Sequence, residues 1–255
     1  KLVLMETYAC IYRPSLTTKL LYYFVDGLFV QWPEILRQYP KASYIGRLNL
    51  DGFWKFFLFM EDETEMVQDN FENKRVLVTV GSTKHEDLIE AIDEPDLMVI
   101  LECEGFEQIY IQKGFTIFLS NLIGDGDYTP HKIQNSSIDI QIVEYLPSLL
   151  EEIKSSDLII THAGTGTIFE CLGMRKRVLG WWITVILMKL AVPNNRLMNN
   201  HQVEIAEILE KHNYLVHSSC SSLKDKISEA INFRPRKFPK KETEDFEREL
   251  KKIYQ

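Results

Sequence analysis

The sequence predicts an α/β fold with a Rossmann-like parallel sheet. Two observations predict this class. Apolar, β-branched runs alternate with segments of helical periodicity, and two of these runs end in glycine loops that lead into a helix. With 255 residues, 45% of them hydrophobic, the chain can bury the core of one large or two modest domains.

Composition divides the chain into three segments. Residues 1–50 begin with an apolar, strand-like run and end with the short strand "LFVQW" followed by "PEILRQYPKASYIGRL". Between these runs, Pro14 and Ser15 stand at a predicted helix start, because apolar residues follow at helical spacing: Leu16, Leu20, Leu21 and Phe24. We interpret this segment as a fragment of a second α/β domain. Residues 51–73 join an aromatic patch to an acidic run and are predicted to be a linker.

Residues 74–255 carry the alternation that defines the main domain. "KRVLVTVGSTKHEDLIEAI" and "LIITHAGTGTIFECLGM" each predict a strand, a glycine loop and a helix. "FEQIYIQKG" and "SIDIQIVEYL" predict strands, "PSLLEEIKSSD" a helix, and "LMNNHQVEIAEILEKHNYLVHSS" a helix followed by a short strand. We therefore expect a parallel sheet with helices on both faces.

The glycine loops are the first candidate site, because open parallel sheets bind ligands beyond the carboxyl ends of their strands. In the first loop, Gly81 allows a tight turn, and Ser82 or Thr83 is predicted to cap a helix that begins near Lys84. In the second, Gly164 and Gly166 let backbone N–H groups approach an anion such as a diphosphate at a helix start. A tight turn capped by Thr165 explains the same residues equally well.

Two further positions are open to a functional and a structural interpretation. Glu170, about one turn into the helix, is either a carboxylate that accepts hydrogen bonds from ribose hydroxyls or a solvated helix residue. The polar cluster "NNHQ" at a helix start either contacts sugar hydroxyls and an acetamido group or provides an asparagine N-cap with exposed neighbours; it comprises Asn199, Asn200, His201 and Gln202.

Charge and cysteine content exclude several classes of function. The net charge of -8 argues against a general nucleic-acid binder, which needs a surplus of Lys and Arg. Four widely spaced cysteines form no zinc or disulfide pattern and fit a reducing, cytosol-facing location. The longest apolar run, residues 178–192, contains Lys189 and falls short of the about 20 residues that span a bilayer, so we predict a buried strand rather than an interfacial segment.

Taken together, the motifs resemble a known family. "VLVTVGSTKHEDLIEAI", "DLIITHAGTGTIFECL" and "LMNNHQVEIAEIL" are similar, in order and spacing, to the catalytic subunit of the endoplasmic-reticulum UDP-N-acetylglucosamine transferase. "METYACIYRPSLTTKLLYYFVDGLFVQWPEILRQYPKASYIGRL" resembles the carboxyl-terminal part of the membrane-anchor subunit of the same enzyme. Such a fusion would reproduce the domain order of single-chain GT-B glycosyltransferases of the family 28 type, with residues 74–255 as the UDP-GlcNAc-binding domain.

The resemblance implies a role for each candidate residue. Gly164, Thr165 and Gly166 would border the UDP diphosphate, with His162 shaping their loop. The remaining candidates would hold the ribose (Glu170), face the GlcNAc (Asn200, His201 and Gln202) or line the cleft towards the acceptor domain (Gly81 and Ser82).

The implied reaction is a metal-independent, inverting transfer that adds the second GlcNAc to dolichol-linked GlcNAc diphosphate, with no cofactor. His85 and His201 are weak candidates for the general base, which stays unassigned. The implied partners are UDP-GlcNAc, the dolichol-linked acceptor and the anchor subunit or its fused equivalent, but no nucleic acid. The implied location is the cytosolic face of the endoplasmic-reticulum membrane, as a peripheral protein.

The chain also departs from the family pattern. It starts without Met, and the amino-terminal half of the anchor subunit, with its membrane helix, does not precede it, so we expect the sequence to be incomplete. Residues 179–190 look like an insertion or a translated intron. The alternative function is therefore a non-catalytic donor-binding module, or a truncated form active only with a complete anchor subunit. The helical tail is expected either to pack against residues 1–50 or to be solvated.

Overall fold

A computed structural model describes residues 1–46, 74–116, 131–132, 137–173, 176–178, 181–185, 188–193, 201–236 and 243–254. The chain forms two compact units, one of residues 1–68 with 239–255 and the other of residues 69–238. The predicted linker, residues 51–73, lies outside the described residues. The carboxyl-terminal helix thus groups with the amino-terminal segment, and the predicted three-part division stays a prediction.

The smaller unit contains a three-stranded parallel sheet in the order β1-β2-β3. Its elements are β1 (Val3–Met5), α1 (Leu16–Leu21), β2 (Gly27–Val30), a 3₁₀ helix (Pro33–Arg37), β3 (Ala42–Tyr44) and, at the end of the chain, α8 (Thr243–Tyr254). The predicted helix at Ser15 and the predicted strand in "LFVQW" are both confirmed.

The side chains that predicted α1 are not the ones that it buries. Leu16, Leu20 and Phe24 are 70%, 62% and 76% exposed, and Phe24 lies beyond the end of the helix. The helix instead buries Thr18, and Tyr22 joins the core cluster with residues of β2. The helical spacing therefore predicted the element correctly, although the apolar residues do not form its buried face.

The larger unit contains a seven-stranded sheet in the order β12-β11-β8-β4-β5-β7-β6. All neighbouring strands are parallel except β6 and β7, which are antiparallel. This arrangement confirms the predicted Rossmann-like parallel sheet. The strands are β4 (Lys74–Thr79), β5 (Phe106–Gln112), β6 (His131–Lys132), β7 (Asp139–Val143), β8 (Leu158–Thr161), β11 (Met188–Ala191) and β12 (Val216–His217).

The helices of this unit follow the predicted alternation, with two additions. They are α2 (Glu86–Ile92), α3 (Pro95–Cys103), α4 (Leu150–Ser155), α5 (Thr165–Gly173), α6 (His201–Lys211) and α7 (Leu223–Asn232). The sequence motifs did not identify α3 and α7. Buried residues of α2, α3 and α7 join the main core cluster with residues of the central strands. Within the described residues, no helix is long and apolar enough to cross a membrane.

The predicted N-cap of α2, Ser82 or Thr83, is wrong. The helix begins at Glu86, two residues later than expected, and its N-cap residue, His85, makes no capping side-chain bond. The hydroxyl and the N–H of Thr83 both donate to the carbonyl oxygen of Val80, at 2.8 and 3.3 Å. Thr83 therefore closes a turn instead of capping the helix, and the chain needs additional residues before the helix can begin.

The long apolar run divides between two sheets. Its last part forms β11 within the main sheet, where Leu190 and Ala191 are fully buried, which confirms a buried strand there. Its first part contributes to a separate antiparallel pair of strands, β9 (Lys176–Val178) and β10 (Trp181–Val185). Whether residues 179–190 are an insertion stays a prediction.

Candidate functional site

The two glycine loops lie side by side at one edge of the main sheet. Thr79 at the end of β4 is paired with Thr161 at the end of β8 in a parallel register, so the loops that follow both strands leave the sheet at the same edge. The structure therefore brings Gly81 and Ser82 together with His162 and Gly164. This is the edge where parallel sheets bind ligands.

The imidazole of His162 lies between the two glycines. An ideal Cβ on Gly81 would lie 2.8 Å from its Cε1 atom, and one on Gly164 would lie 2.3 Å from its Nε2 atom. Real Cβ atoms do not approach other atoms so closely. Both loops are thus free of side chains where the ring lies, and Gly81 additionally has a left-handed φ of +61°.

Hydrogen bonds fix the ring of His162 to the adjacent strand. Its backbone N–H donates to the carbonyl oxygen of Thr79 at 3.2 Å, and its Nδ1 lies 3.3 Å from the same oxygen. Because a carbonyl oxygen only accepts, Nδ1 carries the proton and Nε2 is left as the acceptor of a neutral ring. The side chain is only 5% exposed.

Burial keeps this ring uncharged. Desolvation lowers the pKa of His162 to about 4, and the nearby imidazole of His85 lowers it as well, while the bond to Thr79 acts in the opposite direction. His162 is therefore a neutral group at neutral pH. It does not supply a positive charge to the site.

Helix α5 begins at the second loop. The N–H of Ile168 donates to the carbonyl oxygen of Gly164 at 3.0 Å, which is the first bond of the helical ladder. The N–H groups of Thr165, Gly166 and Thr167 precede it and lie outside the intrahelical pattern. They carry the positive end of the helix dipole, which favours anions. Thr165 is the first helical residue rather than an N-cap, so the predicted cap at Thr165 is wrong.

Gly166 differs from the other glycines of the site. It is exposed, and a Cβ placed on it would meet no atom within 4 Å. Its backbone φ is not in the left-handed region. Neither packing nor backbone conformation within this unit therefore requires a glycine here, and the open space beside it is available to a ligand.

Glu170 lies one turn further along α5. It is half-buried, and desolvation raises the pKa of its carboxyl group. Partial burial near a helix start makes this carboxylate a good acceptor for hydroxyl groups, because such hydrogen bonds replace the lost hydration.

The polar cluster at the start of α6 is only partly described. Asn199 and Asn200 lie outside the described residues, and His201 is the first residue of α6. Gln202 is buried, with 5% of its surface exposed. Further along the helix, the apolar spacing predicts a buried face of five residues: Val203, Ile205, Ala206, Ile208 and Leu209. Four of them are buried, whereas Val203 is only half-buried.

His85 supports the site from inside instead of facing it. It is 3% exposed, and its backbone N–H donates to the hydroxyl of Thr116 at 3.0 Å. Its ring Nε2 lies 3.2 Å from the carbonyl oxygen of Val192, which follows β11. These contacts link the loop after β4 to the ends of β5 and β11. They argue against the role of general base that the sequence left open.

Sequence reasoning missed a third loop, which follows β5. Gly114 has φ +57°, and a Cβ on it would lie 2.3 Å from the carbonyl oxygen of Thr83. The buried Lys113 donates from Nζ to the carbonyl oxygen of Thr116 at 3.1 Å. The signal in the sequence was Gly114, two residues after the end of the strand "FEQIYIQ", since glycines also follow the ends of β4 and β8. Within the described residues, no group of three or more His, Cys, Asp or Glu side chains could hold a metal ion.

Comparison with known protein families gives two matches that together cover most of the chain. Residues 75–254 match the family described as glycosyltransferase family 28 C-terminal domain. Residues 1–48 match the family described as oligosaccharide biosynthesis protein Alg14 like. These matches confirm the resemblance of the two segments to a catalytic and an anchor component.

Individual relatives support the first match. The human UDP-N-acetylglucosamine transferase subunit ALG13 is 33% identical over 150 residues, which are 59% of this chain and 11% of that protein. The protein of the same name from Candida albicans is 29% identical over 203 residues and covers 68% of this chain and 66% of that protein. The chain thus spans about a tenth of the length of its human and mouse relatives.

A solved structure supports the fold. The crystal structure of Acinetobacter baumannii MurG is similar with a TM-score of 0.54 and 16% sequence identity, over 90% of this chain and 58% of that one. At this identity the similarity concerns the fold alone. It agrees with the predicted α/β, GT-B type of architecture.

Proposed function

Because the chain belongs to the family of the glycosyltransferase family 28 C-terminal domain, we propose that it is a UDP-N-acetylglucosamine transferase of dolichol-linked oligosaccharide synthesis. The reaction is the transfer of the second GlcNAc from UDP-GlcNAc to GlcNAc-diphosphodolichol. The name of the relatives, UDP-N-acetylglucosamine transferase subunit, supports the donor, and the Alg14-like match of residues 1–48 supports the pathway.

The observation that carries the proposal is the open start of α5. The N–H groups of residues 165–167 lie outside the helical ladder, and the exposed Gly166 leaves space beside them. A diphosphate needs several donors and no side chain in the way, and it gains from the helix dipole. In this proposal Gly164, Thr165 and Gly166 border the diphosphate of UDP-GlcNAc.

The other candidate residues complete the donor site. Glu170 accepts hydrogen bonds from the ribose hydroxyls. These bonds would replace part of the hydration that the carboxylate loses on partial burial, the same desolvation that raises its pKa. Asn200, His201 and Gln202 face the GlcNAc. Gly81 and Ser82 line the donor site next to the second loop, and His162 shapes that loop from within.

The proposed chemistry is an inverting transfer without metal. The 4-hydroxyl oxygen of the acceptor GlcNAc forms a bond to C1 of the donor sugar, and the bond from C1 to the diphosphate oxygen breaks. UDP leaves with the bonding electrons, and the hydroxyl proton passes to a base. Because negative charge grows on the departing diphosphate, the N-terminus of α5 stabilises the transition state more than the bound substrate.

The base belongs to the acceptor side in this proposal and is not assigned to a residue. The acceptor is lipid-linked, so the protein works at the cytosolic face of the endoplasmic-reticulum membrane as a peripheral protein. Its partner there is a membrane-anchor subunit, for which residues 1–50 stand as a fused fragment.

A second candidate function is a donor-binding module that becomes active only with a complete anchor subunit. The name of the relatives, which describes a subunit, favours it. Both candidates share the donor site. They differ in whether the purified chain transfers sugar by itself.

Calorimetric titration with UDP-GlcNAc and UDP tests the shared donor site. We expect the wild type to bind both, and Gly166→Trp to lose binding because the indole fills the space beside the helix start. Glu207→Trp, on an exposed position of α6, is the control for a surface tryptophan and should bind normally. Absence of binding by the wild type, or normal binding by Gly166→Trp, would contradict the proposed site.

A transfer assay with a short-chain lipid-linked GlcNAc diphosphate then separates the two candidates. Turnover by the chain alone supports the enzyme. Turnover that requires an added full-length anchor subunit supports the donor-binding module.

A further inference from the structure

We infer that His162 is a positioning residue, a neutral spacer that sets the separation of the two glycine loops. Its side chain excludes a Cβ at Gly164 and, together with the left-handed φ of +61°, at Gly81, whereas Gly166 is a glycine because of the ligand. The inference rests on the proposed function for the identity of the ligand alone. The three glycines thus have two different roles: Gly81 and Gly164 make room for the imidazole, and Gly166 leaves space for the ligand.

The ring occupies the space that two Cβ atoms would need. Nε2 lies 2.3 Å from an ideal Cβ on Gly164 and 3.3 Å from one on Gly81, while Cε1 lies 2.6 and 2.8 Å from the same positions. One edge of the imidazole therefore contacts both loops at once. A side chain on either glycine would push the loops apart or displace the ring.

The ring cannot move aside easily. It is 5% exposed, and both its backbone N–H and its Nδ1 are at hydrogen-bond distance from the carbonyl oxygen of Thr79. The hydroxyl of Thr79 in turn accepts from the N–H of Gly81 at 3.1 Å and donates to Gln112 at 2.8 Å. Thr79 thus connects the ring to the first loop, so ring and loops form one hydrogen-bonded group.

The backbone of the second loop supports the same conclusion. Ala163, between the ring and Gly164, is fully buried and has a left-handed φ of +62°, which is unfavourable for a residue with a Cβ. The surrounding contacts must compensate for this conformation. The packing of the ring against Gly164 is one such contact.

Neutrality of the ring follows from its surroundings. The groups that face it are the carbonyl oxygen of Thr79 on β4 and the imidazole of His85, which precedes α2. A proton on Nε2 would meet a buried environment, and a protonated His85 would repel it. His162 therefore supplies no charge for anion binding and acts through geometry.

A double-mutant cycle tests the positioning role without any ligand. Gly164→Ala should lower the midpoint of thermal unfolding by roughly 3 to 8 °C, because its methyl group overlaps the ring. His162→Ala in the same chain should remove most of that loss, so that the double variant is clearly more stable than the sum of the single effects predicts. Additive effects would overturn the inference.

A second partner variant keeps the cycle informative if His162→Ala does not fold. His162→Asn retains a side-chain N–H for the carbonyl oxygen of Thr79 but is shorter, so it should also relieve Gly164→Ala. Gly166→Ala is the matched control. It meets open space, so its unfolding midpoint should not fall and should not depend on residue 162.

Binding of UDP-GlcNAc as a function of pH tests whether the ring of His162 is neutral or charged when the ligand is bound. UDP-GlcNAc keeps the charge of its diphosphate from about pH 8 to about pH 5.5, so a neutral spacer predicts the same contribution of His162 to affinity over that range. Affinity that increases towards low pH in the wild type but not in His162→Gln would indicate a charged contact and overturn the inference. If the wild type bound no UDP-GlcNAc, the proposed function would fail, while the unfolding cycle would still decide the role of His162.

Discussion

Thr79 and Thr161 lie directly opposite each other on β4 and β8, yet within the described part of the chain only the hydroxyl of Thr79 has hydrogen-bond partners. The hydroxyl of Thr79 donates to Gln112 and accepts from the N–H of Gly81. The buried hydroxyl of Thr161 has no hydrogen-bond partner among the described residues. It borders a small apolar cavity, whose other lining residues are Ile159, Ile168, Cys171, Ala191 and Leu215.

This difference predicts opposite effects of the same substitution. Thr161→Val removes an unsatisfied buried hydroxyl at constant shape and should raise the free energy of unfolding by about 1 kcal/mol. Thr79→Val removes one partner from Gln112 and one from Gly81 and should lower it by about 1 to 3 kcal/mol. Chemical denaturation of the three proteins measures both values. A loss of stability in Thr161→Val similar to that in Thr79→Val would mean that the hydroxyl of Thr161 is satisfied after all.

The stability of the fold should depend on pH through His162. Its pKa is lowered to about 4 in the folded protein from the ordinary 6.5, so the unfolded chain binds a proton that the folded one does not. The contribution of the neutral, buried ring to the free energy of unfolding is fully present above about pH 6.5 and is lost as the pH falls towards about 4. In total it amounts to about 3 kcal/mol. Denaturation curves recorded between these values should therefore show a weaker acid dependence for His162→Gln than for the wild type. Parallel curves for the two proteins would contradict the buried, neutral ring.

Glu170→Gln should separate ligand binding from stability. Burial raises the pKa of Glu170, so the ionised carboxylate disfavours the fold above the folded pKa and this effect vanishes as the pH falls below the unfolded value. The variant should be as stable as the wild type, or slightly more stable, at neutral pH. It should bind UDP roughly tenfold more weakly, since a neutral amide is a poorer acceptor for ribose hydroxyls.

Calorimetry of Glu170→Gln with UDP and with inorganic diphosphate gives the control. The loss should appear with UDP and not with diphosphate, which has no ribose. An equal loss with both ligands would mean that Glu170 acts on the diphosphate or on the loop.

The carboxyl-terminal helix α8 should depend on the glycine at the start of β2. An ideal Cβ on Gly27 would overlap the side chain of Ile253. The side chain of Ser43 on β3 is hydrogen-bonded to Glu249. The pKa of the Glu249 carboxyl group is lowered mainly by Lys252 and to a smaller extent by Ser43. The ammonium group of Lys1 donates to the carbonyl oxygen of Ile253. Helix α8 thus packs on the three-stranded sheet. Of the two alternatives for the tail, this agrees with packing against residues 1–50 and not with a solvated helix.

Gly27→Val should displace α8 from this sheet. We expect hydrogen exchange of residues 243–254 to accelerate by roughly tenfold, which corresponds to a loss of about 1.4 kcal/mol in local stability. Ile253→Ala in the same chain makes room for the new side chain and should restore part of the protection. Unchanged exchange in Gly27→Val would show that the helix does not depend on this contact.

Much of the fold was accessible from sequence because local patterns carry it. Strands β4 and β8 end in short runs of buried residues, and β7 alternates buried isoleucines with exposed polar residues. Helix α6 buries most of the apolar face that its periodicity predicts. Helix α1 shows the limit of this reasoning. Its apolar residues have helical spacing, but the residue of the helix that is buried is Thr18.

The site shows the same limit at the level of single residues. From sequence, Gly81, Gly164 and Gly166 are three glycines in two loops with one expected purpose. In the structure, two of them make room for an imidazole and the third adjoins open space. His85 is a residue type that often acts as a general base, but in the structure it is buried and its contacts with Thr116 and Val192 connect neighbouring strand ends.

The sequence alone determined the class of the fold, the position of both glycine loops at strand ends and the family of the chain, because these depend on periodicity and on motifs that are contiguous along the backbone. Only the tertiary structure decided which atoms meet across the sheet edge. The ring of His162 lies between two loops about 80 residues apart in sequence. Among the described residues, the hydroxyl of Thr79 has hydrogen-bond partners and that of Thr161 has none, and a Cβ on Gly166 would meet no atom within 4 Å. The physical reason is that burial and hydrogen bonding are set by strand order and register. These bring distant residues together and leave no periodic signal in the sequence.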